Sequence, residues 1–457
     1  DDGWLCDRGR WDFGYVNSPD RLRTPLIRRK GQFEAATWDE AFYYITNRLT
    51  QNILGKYGAK AVGGIGSTRT TNEEAYLFQK LMRDVIKTPN VDHHHGYFPG
   101  PIDKLTGKSW RMTNSIVDIE KASHIVLIAS DPYERQPILN LRIKKAMNAG
   151  AKIYIVNEGT TELDRFAALK INIPRDSAGA AAKVLLSSVV RQERMKVPVE
   201  ELRTQMLLDD AAIRSHEEVF GLETTTNLRT LAHEIAEAEG AILLYDEMAT
   251  RALGCQNLAE DLQTLAYVTD NIDRPGAGVG PLVEDANSLG ARDMGLLPDV
   301  LPGYKPAAET GLSYDEMLNG SQIKALFVMG ANPARHVEKL PSSLEFLVVQ
   351  DIVMTETAQQ ADVVLPAVTF AEKDGSMTNV DSHVQAVRQA LRPLPGARAD
   401  WEILSGIARM LGHNWNYSSP QDVLLEIAER NSLYVGLDWI ELGKQGVRIL
   451  EREVAHA

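Results

Sequence analysis

Two cysteines in 457 residues, Cys6 and Cys255, are too few to staple a fold, so no disulfide framework is expected. No run of about 18 apolar residues occurs and no leader-like segment opens the chain, so neither a membrane-spanning helix nor a signal peptide is expected. Clusters of Lys and Arg are missing as well. With 49 basic against 62 acidic side chains the net charge is −13. That balance argues against a nucleic-acid partner, because affinity for a phosphate backbone comes largely from grouped cations releasing counterions. There is no internal repeat, no low-complexity tract and no initiator Met. Asp1-Asp2-Gly3 runs at once into a motif, as in a domain cut from a longer polypeptide. The expected setting is soluble and cytoplasmic.

What is present is ordinary globular composition, 44% hydrophobic and 24% charged. The length exceeds what one core serves, so two or three packed units are expected. Short β-branched runs bounded by turn residues recur at Ala61–Gly66, His124–Ala129, Lys152–Val156, Ala241–Tyr245, Ala325–Met329, Glu345–Val349 and Asp362–Leu365. Each reads as a buried strand. Helical patterns lie between them. Thr37-x-x-Glu40 and Thr71-x-x-Glu74 are capping boxes, each followed by apolar residues three and four apart. Leu139, Ile143 and Met147 mark another helix, and Asp400 reads as the N-cap of a helix carrying Ile403, Leu404, Ile407 and Leu411. Alternating strand and helix predicts α/β units with mostly parallel sheets and ligand sites near the carboxyl ends of strands.

Three motifs invite chemistry and have a plainer reading. Gly276-Ala277-Gly278-Val279-Gly280 lacks the spacing and the preceding strand of a dinucleotide fingerprint, so it reads as a turn. His93-His94-His95 cannot converge on one ion from regular backbone, and no cysteine lies near to complete a set. Cys6 alone would be an inert, small apolar side chain, since an iron–sulfur cluster takes four ligands.

In sequence order, further blocks add up. They are Gly3-Trp4-Leu5-Cys6-Asp7-Arg8-Gly9-Arg10, Asn17-Ser18-Pro19-Asp20-Arg21-Leu22, Thr37-Trp38-Asp39-Glu40-Ala41, Thr71-Asn72-Glu73-Glu74 and Asn90-Val91-Asp92-His93. They continue with Asp293-Met294-Gly295, Met329-Gly330-Ala331-Asn332-Pro333, Ala361-Asp362-Val363-Val364-Leu365-Pro366 and Phe370 to Asn379. Spread over nearly the whole chain, they resemble the molybdopterin oxidoreductase superfamily. Within it, the chain resembles most the large iron–sulfur subunit of respiratory complex I, and next the formate dehydrogenase alpha subunit.

The resemblance also marks departures. Where formate dehydrogenases place a Cys or selenocysteine metal ligand and then a catalytic His, counting without gaps gives Phe98 and Pro99. Neither side chain can ligate a metal or accept a proton. After the strand ending at Val156, the family's acidic residue, Pro and two arginines are replaced by Glu158-Gly159-Thr160-Thr161. That removes planar donors suited to phosphates and purine edges. Beyond Gly278, an Arg-Gly-Gln near the pterin phosphates is replaced by Val283-Glu284-Asp285, whose carboxylates would repel a pyrophosphate. Arg8 stands where catalytic relatives carry a Lys between cluster and pterin.

The expectation is therefore a discontinuous α/β molybdopterin-type fold without the C-terminal β-barrel. Residues 1–25 and 366–395 are expected to form a remnant of the cluster-binding domain, and 26–115 with 291–365 an α/β domain. Residues 116–290 would be an inserted Rossmann-like domain and 396–457 a C-terminal helical segment. The resemblance implies a non-catalytic part of NADH-quinone oxidoreductase (complex I), with no molybdenum or pterin. Its partners would be other peripheral-arm subunits, and it would lie at the inner membrane of a bacterium only through that complex. It also implies Cys6 as the fourth ligand of a 4Fe-4S cluster whose other ligands lie upstream. The alternative is a catalytic molybdenum or tungsten bis-pterin oxidoreductase of formate dehydrogenase type.

Overall fold

The computed structural model describes residues 3–94, 111–208, 210–337, 339–443 and 445–450. The chain divides into two compact units, one of residues 1–10 and 98–284, the other of residues 11–97 and 285–457. No helix among the described residues is long and apolar enough to cross a membrane.

The first unit is built on five parallel strands. Side by side they run Leu169–Asn172, Lys152–Asn157, His124–Ile128, Ala241–Asp246 and Gly278–Leu282. The central strand, His124-Ile125-Val126-Leu127-Ile128, is apolar after its first residue because helices cover both faces of a parallel sheet. Val126 lies level with Tyr154 on one side and Leu243 on the other. Ala178–Arg191 and Leu258–Val268 bury long aliphatic faces in the same cluster as Val126, Ile128, Leu243 and Tyr245. Each such side chain contributes roughly 1.5–3 kcal/mol on leaving water. The glycine run at 276–280, expected as a turn, is half a turn and half a strand. Gly276 turns at φ +74, but Gly278 to Leu282 pairs as the edge strand. Gly280 permits the approach of Met112, whose Cα would lie 2.6 Å from an added Cβ. A strand of Gly-Val-Gly-Pro-Leu has little β propensity, and pairing overrides it.

The second unit holds a seven-stranded sheet. Its order is Gln32–Ala35, Leu26–Arg29, Val363–Pro366, Phe346–Asp351, Ala325–Met329, Val62–Gly66 and Val91–His93. The last five are parallel, and the edge hairpin is antiparallel, closed by Lys30 and Gly31 at positive φ. Both expected capping boxes are in place: Thr37 and Thr71 accept from the backbones of Glu40 and Glu74 at the starts of Trp38–Asn47 and Asn72–Lys80. Asp400 is not the N-cap. Ala399 takes that position, and the Asp400 side chain turns into the core. Beyond Arg388 the chain is not helical throughout, because Val447–Arg448 returns to pair with His383–Val387 in a small antiparallel sheet. No closed barrel occurs among the described residues.

Candidate functional site

Parallel sheets gather polar groups at the carboxyl ends of their strands, where loops leave backbone groups unpaired. In the second unit this end is a cleft of about 380 Å³, lined by Tyr15, Arg69, Thr70, Gly330, Asp351 and Lys373 among others. Gly330 follows Ala325–Met329 in the left-handed region, φ +61, with the Ser67 and Thr70 side chains 3.3 Å from where a Cβ would stand. Asp351 ends the neighbouring strand and accepts from the Ile352 N–H at 2.7 Å. Burial pushes its carboxyl up to about 7.

The floor of the cleft is charged. Lys373 Nζ donates to both Glu74 oxygens, at 2.8 and 2.6 Å, and to Asp400 Oδ2 at 3.4 Å. Asp400 also accepts from the Gln350 amide at 3.0 Å. Burial works against the Lys373 ammonium, but Glu74 and Asp400 outweigh it and hold its pKa above the usual range. Burial raises Asp400 to about 6 despite that lysine. Nearby, Arg21 is buried against Glu372 at 2.8 Å. The sequence marks Glu74 and Asp400 only as helix-start residues and Lys373 only as part of a family block, and no local signal announces that this lysine is 6% exposed and meets both carboxylates.

The residues that the sequence does single out fall at separate places. Cys6 is half-buried just before the short helix Asp7–Trp11, and Arg8 donates to the Glu134 carbonyl at 3.0 Å. Glu158, Thr160 and Thr161 follow Lys152–Asn157 in a loop that closes on itself. There Glu158 accepts from the Asp176 N–H, Thr161 donates to Asp164, and Lys170 binds the Gly159 carbonyl and Asp164. Phe98 and Pro99 lie outside the described residues, as does His95.

Glu284 and Asp285 are not the free pair of repelling charges expected. Glu284 forms an ion pair with Arg135. Asp285 accepts from Thr68 Oγ1 at 2.7 Å and Arg69 Nε at 3.1 Å, and lies 3.2 Å from His94 Nε2. Counter-charges and hydrogen bonds neutralise both carboxylates locally, so the repulsion argument against a phosphate ligand lapses. Among the described residues His93 and His94 do not build a metal centre either. His94 is engaged with Asp285 and His93 lies 3.4 Å from Arg292, and no group of three His, Cys, Asp or Glu among the described residues could hold a metal ion.

The molybdopterin oxidoreductase family model matches residues 21–410. The chain belongs to that family. Among its relatives is the F420-dependent formate dehydrogenase 1 subunit alpha of Methanococcus maripaludis, 34% identical and covering 98% of this chain and 70% of the relative. A putative formate dehydrogenase of Bacillus subtilis is also 34% identical, over 94% of this chain and 47% of the relative. Acetylene hydratase from Pelobacter acetylenicus shares the fold, with a TM-score of 0.72 over 97% of this chain and 68% of that one, at 15% identity.

These relatives correct the finer expectation. They are named as formate dehydrogenases, so the large iron–sulfur subunit of complex I, its NADH-quinone activity and its peripheral-arm partners are not supported. Membership of a molybdopterin family likewise overturns the expected absence of molybdenum and pterin. The physical reason lies in the counting. The Methanococcus comparison extends over 484 positions, more than the 457 residues of this chain, so it contains gaps. With gaps in the comparison, counting forward from Asp92 does not by itself fix a ligand position.

Proposed function

We propose that this chain is the pterin-binding part of an oxidoreductase of formate dehydrogenase type. The observation that carries the reading is the polar cleft at the carboxyl ends of Ala325–Met329 and Phe346–Asp351. It is combined with relatives of that name matching nearly all of the chain. The cleft has the volume range of small-molecule and cofactor sites. Its residues fit the polar, nucleotide-like end of a pterin dinucleotide. Gly330 leaves room for close backbone approach, Thr70 and Gln350 offer polar groups, Asp351 can accept from a base edge, and Arg69 brings positive charge to the rim.

In this reading Gly330, Asp351, Arg69, Thr70 and Gln350 would hold the cofactor, and its molybdenum or tungsten centre would supply the redox chemistry. Lys373 fixes the floor. By neutralising Glu74 and Asp400 it keeps two buried carboxylates from repelling each other and holds Gln350, through Asp400, at the cleft wall.

Metal analysis and fluorescence of released pterin on the natively expressed protein, with formate-dependent dye reduction, test this reading. Near-stoichiometric molybdenum or tungsten with pterin and formate-dependent turnover is the expected result. A folded protein with neither metal nor pterin would sink it, and metal and pterin without turnover would remove formate as the substrate.

A further inference from the structure

Residues 67–71 form the loop between the strand Val62–Gly66 and the helix Asn72–Lys80, and Thr70 within it lines the cleft. One distant residue holds two carbonyls of that loop. The Asn287 N–H donates to the Thr68 carbonyl at 3.0 Å, and its side-chain amide donates to the Thr70 carbonyl at 2.8 Å. The amide oxygen of Asn287 accepts from the Thr378 N–H at 2.7 Å, at the end of the strand Gly375–Thr378 that follows Lys373. Asn287 is wholly buried. Its two backbone partners require a neutral tip with one donor and one acceptor, since Asp lacks the donor and Leu lacks both. A Cβ at Gly290 would stand 2.1 Å from the Asn287 amide oxygen, so the bare backbone of the helix Ser288–Asp293 presses on the amide and pins it.

We propose that Asn287 is a positioning residue for the cleft, which fixes the Thr70 wall relative to the floor that holds Lys373. It acts through Thr70 and Thr378 rather than by touching a ligand. The opposite wall leaves little slack, because a Cβ at Gly330 would lie 3.3 Å from both Ser67 and Thr70. A shift of the loop therefore changes the width of the cleft directly, and ligand contacts have to be held to within about 0.5 Å. Without the amide, the Thr70 carbonyl and the Thr378 N–H lose this partner in a dry interior, and the loop regains one only by moving toward water.

The role rests on the reading of the cleft as a cofactor site. Its control is Asn431, equally buried, which donates to the Asp293 carbonyl at 2.8 Å and so holds the other end of the helix Ser288–Asp293. Wild type, N287A, N287D and N431A are expressed natively as the full chain and compared in pterin retained per folded protein after dialysis, in Tm, and in hydrogen exchange of the Arg69 and Thr71 amides without ligand. N287A and N287D are expected to retain about tenfold less pterin than N431A at a similar fall in Tm, with faster exchange at Arg69 and Thr71. N287D keeps an acceptor for Thr378 and loses only the donor to Thr70, and N287A carries the comparison should N287D not fold. Pterin falling in step with Tm in all three variants makes Asn287 merely structural and overturns the proposal. Full retention of pterin in folded N287A, or unchanged exchange at Arg69 and Thr71, overturns it as well. A wild type that never holds pterin overturns the cofactor reading, and this role with it.

Discussion

The two units solve one local problem in the same way and differ in what they bury behind it. In the first, the central strand His124–Ile128 leaves the sheet through Ala129 at φ +48, then Ser130 and Asp131-Pro132 into a short helix that Asp131 caps through the Tyr133 N–H. In the second, Ala325–Met329 leaves through Gly330 at φ +61, then Ala331 and Asn332-Pro333 into a short 3-10 turn. The neighbouring strand ends alike, Asn157 accepting from the Glu158 N–H and Asp351 from the Ile352 N–H. No repeat is evident at the level of residues, yet the backbone repeats the same strand-to-helix turn.

Behind that turn the units diverge. The core of residues 98–284 is dominated by aliphatic side chains such as Val126, Leu185, Leu231 and Leu243. In the other unit, Lys373, Glu74 and Asp400 are buried together at the floor of the cleft, and Glu73 is buried on the same helix as Glu74. Buried ion pairs are weak contributors to stability but costly to break. A unit that keeps them gives up stability for a polar, pre-arranged cleft.

The largest test of that contrast is Lys373→Met. It leaves Glu74 and Asp400 buried without their cation, and a loss of about 3–5 kcal/mol is expected. Hydrogen exchange after the substitution should show lost protection in Phe346–Asp351 and Val363–Pro366 but not in His124–Ile128. Equal loss in both would break the comparison by showing that the two units unfold as one.

A second test uses pH. Burial holds the Glu73 carboxyl up at about 7, against an ordinary 4.5, although it accepts from the Ser376 N–H and hydroxyl. A raised carboxyl favours the folded state while protonated, so its contribution is full below about 4.5 and is lost as pH rises toward 7. Glu73→Gln cannot lose it. In denaturant titrations the stability of the variant relative to wild type should rise between pH 4.5 and 7 and stay level above. A constant difference across that window would refute the assignment.

The smallest effect sharpens the shared turn. Gly330→Ala places a Cβ in a left-handed residue against Ser67 and Thr70 and should cost about 1–2 kcal/mol. Ala129→Gly relieves the same conformation and should stabilise by less than about 1 kcal/mol, since glycine adds freedom to the unfolded chain. Thermal melts in which both substitutions destabilise equally would show that the two turns are not equivalent.

Much of the fold was legible in the residues. The buried strands at Ala61, His124, Lys152, Ala241, Ala325, Glu345 and Asp362 formed within a residue or two of their expected bounds, because their β-branched runs are bounded by turn residues. The capping boxes at Thr37 and Thr71 were legible because the signal is wholly local. The edge strands Gly278–Leu282, Leu169–Asn172 and Val91–His93 were not, since pairing with a neighbour creates them. The site was less legible still. Glu284 and Asp285 look like one patch of negative charge in sequence, but each finds a different cation.

The sequence by itself determined the family and the α/β class, through short motifs spread along the chain and hydrophobic periods that need only neighbours to be read. Tertiary structure alone decided which charges are buried, that Lys373 sits between Glu74 and Asp400, and that Asp285 meets Thr68, Arg69 and His94. These partners lie tens to hundreds of residues apart, and the electrostatics of a group depends on the company the fold gives it.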